Sequence, residues 1–289
     1  MQPLAEFRQR LHFFMKKLLI FIISVFVCSP LLAAEGKRYI SLAPSTTEIL
    51  FSLGLDKEIV GVSSFCNYPP QAKSKDKIGT FSQPNIEKIL SLKPDYIFST
   101  GLEQAQAVSQ LKRLGLPIYV ADPVNMEELI ATIIEIGAIT GRQVQAQQLA
   151  QKIEDKVSEI SLKVKSVPAD KRPKVYIEIW HDPLTTAGQG SFVNDIISIA
   201  GGVNIAFDTK RPYSIFSPEE VIKRDPDYIF LAYMGQAPQK ELEKRFGWQK
   251  IKAVKNKKVY SDIDPNILLR PGPRAIEGLE SVYKKLYQQ

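Results

Sequence analysis

The sequence predicts an α/β protein made of two lobes, each with helices on a mainly parallel sheet, bridged by one long α-helix. Three observations carry this. Short β-branched and aromatic runs alternate with helical runs over residues 38–120 and again after Pro173, the pattern of βαβ units. Between them the pattern is helical from Met126 to about Val167, broken only near Thr140-Gly141. Finally, a segment repeats: residues 85–98 fall on residues 217–230 at constant offset, with Glu87 on Glu219, Pro94 on Pro226 and the two Asp-Tyr-Ile-Phe runs coincident.

The elements follow in order. Residues 38–42 read as a strand that Pro44 breaks, and Ser45-Thr46-Thr47-Glu48 has the spacing of a capping box before the apolar Ile49-Leu50-Phe51. That helix ends near Gly54, and residues 59–62 form the next strand. Asn67-Tyr68-Pro69-Pro70 is rich in turn formers. Helices over 85–92 and 104–114 alternate with strands over 95–98 and 117–120. In the middle, Val144, Leu149, Ile153, Val157, Ile160 and Val164 recur every three or four residues among Gln, Lys, Glu and Asp, so one stripe is buried and the rest exposed. Residues 142–165 would span roughly 35 Å, enough to run along two lobes. Strands over 175–180, 227–230 and 259–260 and helices over 192–200, 218–223 and 273–287 complete the chain. The expected organisation is a leader over 1–34, a first Rossmann-like lobe over 35–124, a helical bridge over 125–170 and a second Rossmann-like lobe over 171–289.

The leader has its own signature. Met15-Lys16-Lys17 is positive, residues 18–27 are apolar, and Leu31-Leu32-Ala33-Ala34 supplies small residues for cleavage, the order of a secretory signal peptide with Met15 as the natural start. The apolar run is short of the about 20 residues that a membrane span needs. Val27 stands before Cys28, where lipid attachment wants a small residue, so the expected product begins near Glu35, free in a periplasm. Cys66 is then its one cysteine, which excludes an internal disulfide and reads as a partly buried small residue. Of 289 residues, 44% are hydrophobic and 24% charged, which suffices for an ordinary core. The net charge of +7 is partly in the leader, and the remaining basic residues are scattered among acids, which excludes a nucleic-acid partner.

No enzyme motif is present: there is no phosphate-cradling glycine loop and no G-x-S-x-G elbow. A doubly wound sugar-transferring enzyme would need an acid–base constellation that the chain does not display. His181 is the one histidine after the leader, too few for the usual transition-metal site, so neither a metal nor a cofactor is expected. It sits at a strand end, where open α/β sheets place ligands, and reads either as a ligand contact or as a loop histidine without special role. Aromatic residues populate the strand-end loops: Phe65, Tyr68 and Phe81 in the first lobe, Trp180, Tyr213 and Phe216 in the second. Tyr68, Phe81, Trp180 and Tyr213 have small, polar or proline neighbours and read as walls for a large, flat, partly apolar ligand, whereas Phe65 and Phe216 read as plugs of the lobes.

Several runs together are specific: Ile-Ser-Leu-Ala-Pro-Ser-Thr-Thr-Glu at 40–48, Ile-Val-Gly-Val-Ser-Ser at 59–64, Tyr-Pro-Pro-Gln-Ala at 68–72, Asn-Ile-Glu-Lys-Ile-Leu-Ser-Leu-Lys-Pro-Asp at 85–95, Gly-Gly-Val-Asn-Ile at 201–205 and Ser-Pro-Glu-Glu-Val at 217–221. With them the chain from about Lys37 to Gln289 resembles the class III periplasmic binding proteins, whose two lobes are joined by a rigid helix and which serve cobalamin, haem and iron-siderophore importers. The order of its first-lobe motifs is similar to the cobalamin-binding members. The resemblance implies a monomer that captures a corrinoid non-covalently and delivers it to an ABC permease dimer with its ATPase; an iron-siderophore or haem is the alternative ligand. It implies that Tyr68 and Phe81 line the cleft from one lobe and Tyr213 and Arg270 from the other, with Asp264 beside Arg270 in a stretch, 262–274, that carries an added Pro-Gly-Pro. Phe81 and Tyr213 stand where the cobalamin-binding members carry tryptophans. By the same resemblance Glu87 and Glu219 meet arginines of the two permease subunits.

Overall fold

Two sheets organise the chain. In the computed structural model, residues 36–101, 104–233, 242 and 244–288 are described. The leader, Cys28 and the cleavage point after Ala34 lie outside the described residues. The first sheet is wholly parallel, in the order β2-β1-β3-β4, from β1 (Tyr39–Ser41), β2 (Ile59–Val62), β3 (Tyr96–Ser99) and β4 (Ile118–Val120). Its crossovers include the helices α1 (Pro44–Ser52), α2 (Ile86–Ser91) and α3 (Ala105–Arg113). The capping box read at Ser45–Glu48 is not formed. Proline occupies the first helical turn, which moves the cap back to Ala43, without a side-chain cap bond, and frees Glu48 for another partner.

The second sheet runs β10-β9-β5-β6-β8, with β7 also beside β5. Its strands are β5 (Lys174–His181), β6 (Leu184–Ala187), β7 (Val203–Asn204), β8 (Tyr213–Ile215), β9 (Tyr228–Leu231) and β10 (Val259–Tyr260). β5 pairs in parallel with β7 and β9, and β9 with β10. β5–β6 and β6–β8 are antiparallel, an edge the sequence reading lacks. Asp182-Pro183 there reads as the end of a strand, yet it is the turn of a hairpin. Helices α6 (Phe192–Ile199), α7 (Pro218–Arg224) and α8 (Lys252–Lys255) belong to this half, together with a short α9 (Pro265–Leu269) and the terminal α10 (Ala275–Tyr287).

Between the sheets, α4 (Met126–Thr140) ends on Gly141 in the left-handed conformation (φ 71°), and α5 (Gln143–Lys165) follows. Its 23 residues span roughly 35 Å. The buried stripe is Ala146, Ala150, Ile153, Ile160 and Val164. Val144, expected inside, points out and is 63% exposed, because the inward face at this end belongs to alanines that let α4 approach. A methyl group on Gly137 would meet that of Ala146 at 2.3 Å. One core cluster threads both halves, with Ile49, Leu50 and Phe98 from the first, Ile133 and Ile136 of α4, Ile153 and Ile160 of α5, and Val175, Ile177, Ile196 and Leu279 from the second, while each half keeps a further cluster of its own around Ile97 and around Trp248. No described helix is long and apolar enough to cross a membrane.

A candidate ligand cleft at the strand ends

In open α/β sheets, ligands bind beyond the carboxyl ends of the strands. After β2 the chain turns through Ser63 to Tyr68. This turn is fixed from beneath: the Thr47 hydroxyl donates to Cys66 Sγ at 3.1 Å, and Ser63 Oγ lies 3.2 Å from the same sulfur. Cys66 is buried, and burial pushes its thiol up. With Cys66 facing inward, Phe65 faces outward. Phe65 is exposed and is not the plug the sequence suggests, whereas Phe216 is buried. Phe81 is half-buried. Its carbonyl accepts from Gln104 Nε2 at 2.8 Å, as does that of Leu42 at 2.8 Å.

A buried charge cluster joins the two halves. Glu48 on α1 takes a fork from Arg274 at the base of α10, with Nε donating to Oε2 at 2.8 Å and Nη2 to Oε1 at 2.7 Å. Arg270 Nη1 stands 3.5 Å from Glu48 Oε1 and donates to Asn67 Oδ1 at 2.8 Å. Asp264 Oδ2 is 3.8 Å from Arg274 Nη1, and Asp264 also caps α9 through the amide of Asn266. The Arg274 guanidinium lies over the ring of Tyr68 at 3.8 Å. Bonding to Glu48 holds the Arg274 guanidinium above its ordinary range, whereas burial pulls Arg270 below its own, with Glu48 opposing. The Arg270–Arg274 loop lies against α1 at Gly272, where a Cβ would make ordinary van der Waals contact, 3.6 Å from the Ser45 carbonyl oxygen.

At the end of β5 lies a second cluster. The rings of Trp180 and His181 are 5.2 Å apart, and His181 meets Tyr233 edge-on at 5.8 Å. Beneath them Glu178, fully buried, accepts both Arg245 guanidinium nitrogens at 2.7 Å and the hydroxyl of Tyr233. Burial raises the Glu178 carboxyl, with Arg245 and His181 opposing. Tyr213 stands on the edge strand β8, in register with Ala187.

Arg274 thus gathers Tyr68 and Asp264, and Glu48 and Asn67 add Arg270; Trp180 and His181 form a separate group. Sequence reasoning misses Glu48, Asn67, Arg274, Glu178, Tyr233 and Arg245. Two signals are legible in hindsight: a glutamate between Ile177 and Ile179 in an apolar strand, and arginines bracketing Pro271-Gly272-Pro273. Among the described residues, no three His, Cys, Asp or Glu side chains converge to hold a metal ion.

Glu87 and Glu219 occupy matching places, exposed in the first turns of α2 and α7. Asn85 caps the first helix by accepting from the Lys88 amide, and Ser217 caps the second by accepting from that of Glu220. The Glu219 carboxyl is held below the usual range by its own backbone amide and by the Ser217 hydroxyl.

Two α/β lobes bridged by a helix pair, with their strand ends turned to a shared charge cluster, define a class III binding-protein fold. The family model described as periplasmic binding protein matches residues 40–265, and the chain belongs to that family. It is 35% identical over 258 residues to the uncharacterized ABC transporter substrate-binding lipoprotein YvrC of Bacillus subtilis, across 88% of this chain and 81% of that one. It is 30% identical to the vitamin B12-binding protein of Vibrio cholerae, across 92% and 96%. Among solved structures, IsdE of Staphylococcus aureus, complexed with heme, superposes with a TM-score of 0.76 at 26% identity, covering 87% of this chain and 99% of that one.

Proposed function

We propose that the protein captures a cobalamin-type corrinoid in its inter-lobe cleft and hands it, chemically unchanged, to an ABC permease dimer with its ATPase. In this reading the leader is a cleaved signal peptide, the protein works as a monomer in the periplasm, and Glu87 and Glu219 dock the two permease subunits. One observation carries the ligand choice: the strand-end arginines Arg245, Arg270 and Arg274 are tied to protein carboxylates while aromatic residues stay partly exposed. Arg270 and Arg274 converge on Glu48, and Arg245 on Glu178. Tyr68, Trp180 and Tyr213 are 41%, 47% and 46% exposed. An anionic ferric siderophore, or the propionates of haem, would call for uncommitted cations, since a buried charge left unpaired is costly. A corrinoid offers a broad apolar face and neutral amides, which suit rings and neutral polar groups. The vitamin B12-binding relative supports the same choice.

Calorimetric titration of residues 35–289 with cyanocobalamin, cobinamide, haem and a ferric siderophore tests it. The expected result is submicromolar binding of the corrinoids alone. An isotherm only with haem or the siderophore overturns the ligand and leaves the family intact.

A further inference from the structure

We propose that Arg274 is a positioning residue that makes the orientation of the Tyr68 ring and the separation of the two lobes a single variable, so that the residence time of the ligand depends on the Glu48–Arg274 bridge. The inference rests on Tyr68 being a wall of the cleft. Glu48 belongs to the first lobe and Arg274 to the second, 226 residues apart in sequence. Both side chains are largely buried, at 2% and 13% exposure, so the fork between them is shielded from competing water. The fork fixes the plane of the guanidinium as well as its place.

The same guanidinium backs Tyr68. The guanidinium centre lies 3.8 Å from the ring centroid, which covers one ring face, while 41% of the residue remains exposed. The ring cannot turn without giving up its cation. A ligand stacking on the open side therefore meets a surface ordered in advance and loses less entropy on binding. Asn67, next in the chain, is held by Arg270 from the same second-lobe loop, so the first-lobe turn is gripped at two adjacent points by one loop of its partner lobe.

Separation of the lobes would break the fork, the stack and the Asn67 bond together. Arg270 Nε is buried without a partner, so the network is not saturated and yields more readily than a fully bonded one. Opening of the cleft thus releases the ring that faces the ligand, and ligand escape becomes tied to opening.

The test uses Arg274→Lys, which keeps the charge but loses the fork and the flat stacking plane. Dissociation of cyanocobalamin is followed by stopped flow in the wild type, Arg274→Lys, Tyr68→Ala and the double variant, with near-UV circular dichroism to establish folding. Arg274→Lys is expected to speed dissociation about tenfold and to change association much less. Added to Tyr68→Ala it is expected to change dissociation less than about twofold, because its effect passes through the ring. Equal effects in both backgrounds overturn the proposal, as does an unaltered rate in Arg274→Lys. Wild-type binding by Tyr68→Ala overturns it through its premise. If the wild type binds no cyanocobalamin, the ligand reading fails and ligand-free hydrogen exchange decides the positioning: amides at 64–68 must lose protection in Arg274→Lys, and unchanged protection ends the idea. Should Arg274→Lys not fold, Glu48→Gln, which weakens the same fork, goes through the same measurements with the same expectations.

Discussion

Cys66 sits under the loop that carries Tyr68, with Thr47 and Ser63 as its hydrogen-bond partners. Burial pushes its thiol up, so the reactive thiolate is scarce in the folded protein. Because the folded value lies above the unfolded one, the stability that this group lends is complete at neutral pH and is lost as pH rises past the unfolded thiol range towards the folded value. Iodoacetamide at pH 8 is therefore expected to leave the Cys66 peptide unmodified in native protein and to alkylate it fully in urea, as read by mass spectrometry. Rapid native labelling would show that the turn opens. A small inward residue at this position was legible from the sequence. The charge cluster beside it was not, because no local spacing announces a pair as distant as Glu48 and Arg274. Tyr68 could be read as an exposed aromatic, but the cation behind its ring could not.

Among the elements, the repeat that links residues 85–98 with 217–230 extends to the backbone. Asn85 and Ser217 cap their helices in the same way, and Lys93 and Asp225, at equivalent places before Pro94 and Pro226, both take positive φ (45° and 47°). This much was legible because caps and prolines act within a few residues of themselves. Asn85→Ala and Ser217→Ala are each expected to cost about 1 kcal/mol in urea unfolding, by leaving a first-turn amide without its acceptor. A loss below about 0.3 kcal/mol at either site would mean that water replaces the side chain there. Strands β6 and β8 were hidden for the opposite reason. Each holds its place through partners on β5 and β6, and neither is long enough to show a pattern of its own. The terminal helix and the bridge were visible through their period. Their exact faces, such as the outward Val144, were settled by which neighbour could approach.

For the molecule as a whole, one core running through α4 and α5 means that the lobes cannot move as freely as two domains on a flexible linker. A stiff pair of lobes is suited to presenting two fixed points to a two-subunit partner, and Glu87 and Glu219, in equivalent first turns, are the points proposed for that role. Neither takes part in the charge clusters at the strand ends, so docking and capture should separate on mutation. Glu87→Ala and Glu219→Ala are each expected to leave ligand affinity within about twofold of wild type. In proteoliposomes carrying the permease and its ATPase, each is expected to weaken stimulation at least about tenfold, because one of two linked contacts is lost. The double variant should then be nearly silent. The pH dependence follows from the Glu219 carboxyl, which its own amide and Ser217 hold below the usual range. Its charge therefore persists to lower pH than that of an ordinary glutamate, so the Glu219 contact should weaken at lower pH than an unperturbed glutamate would. Wild-type stimulation by the double variant would remove both glutamates from the docking surface while leaving the cleft where it is.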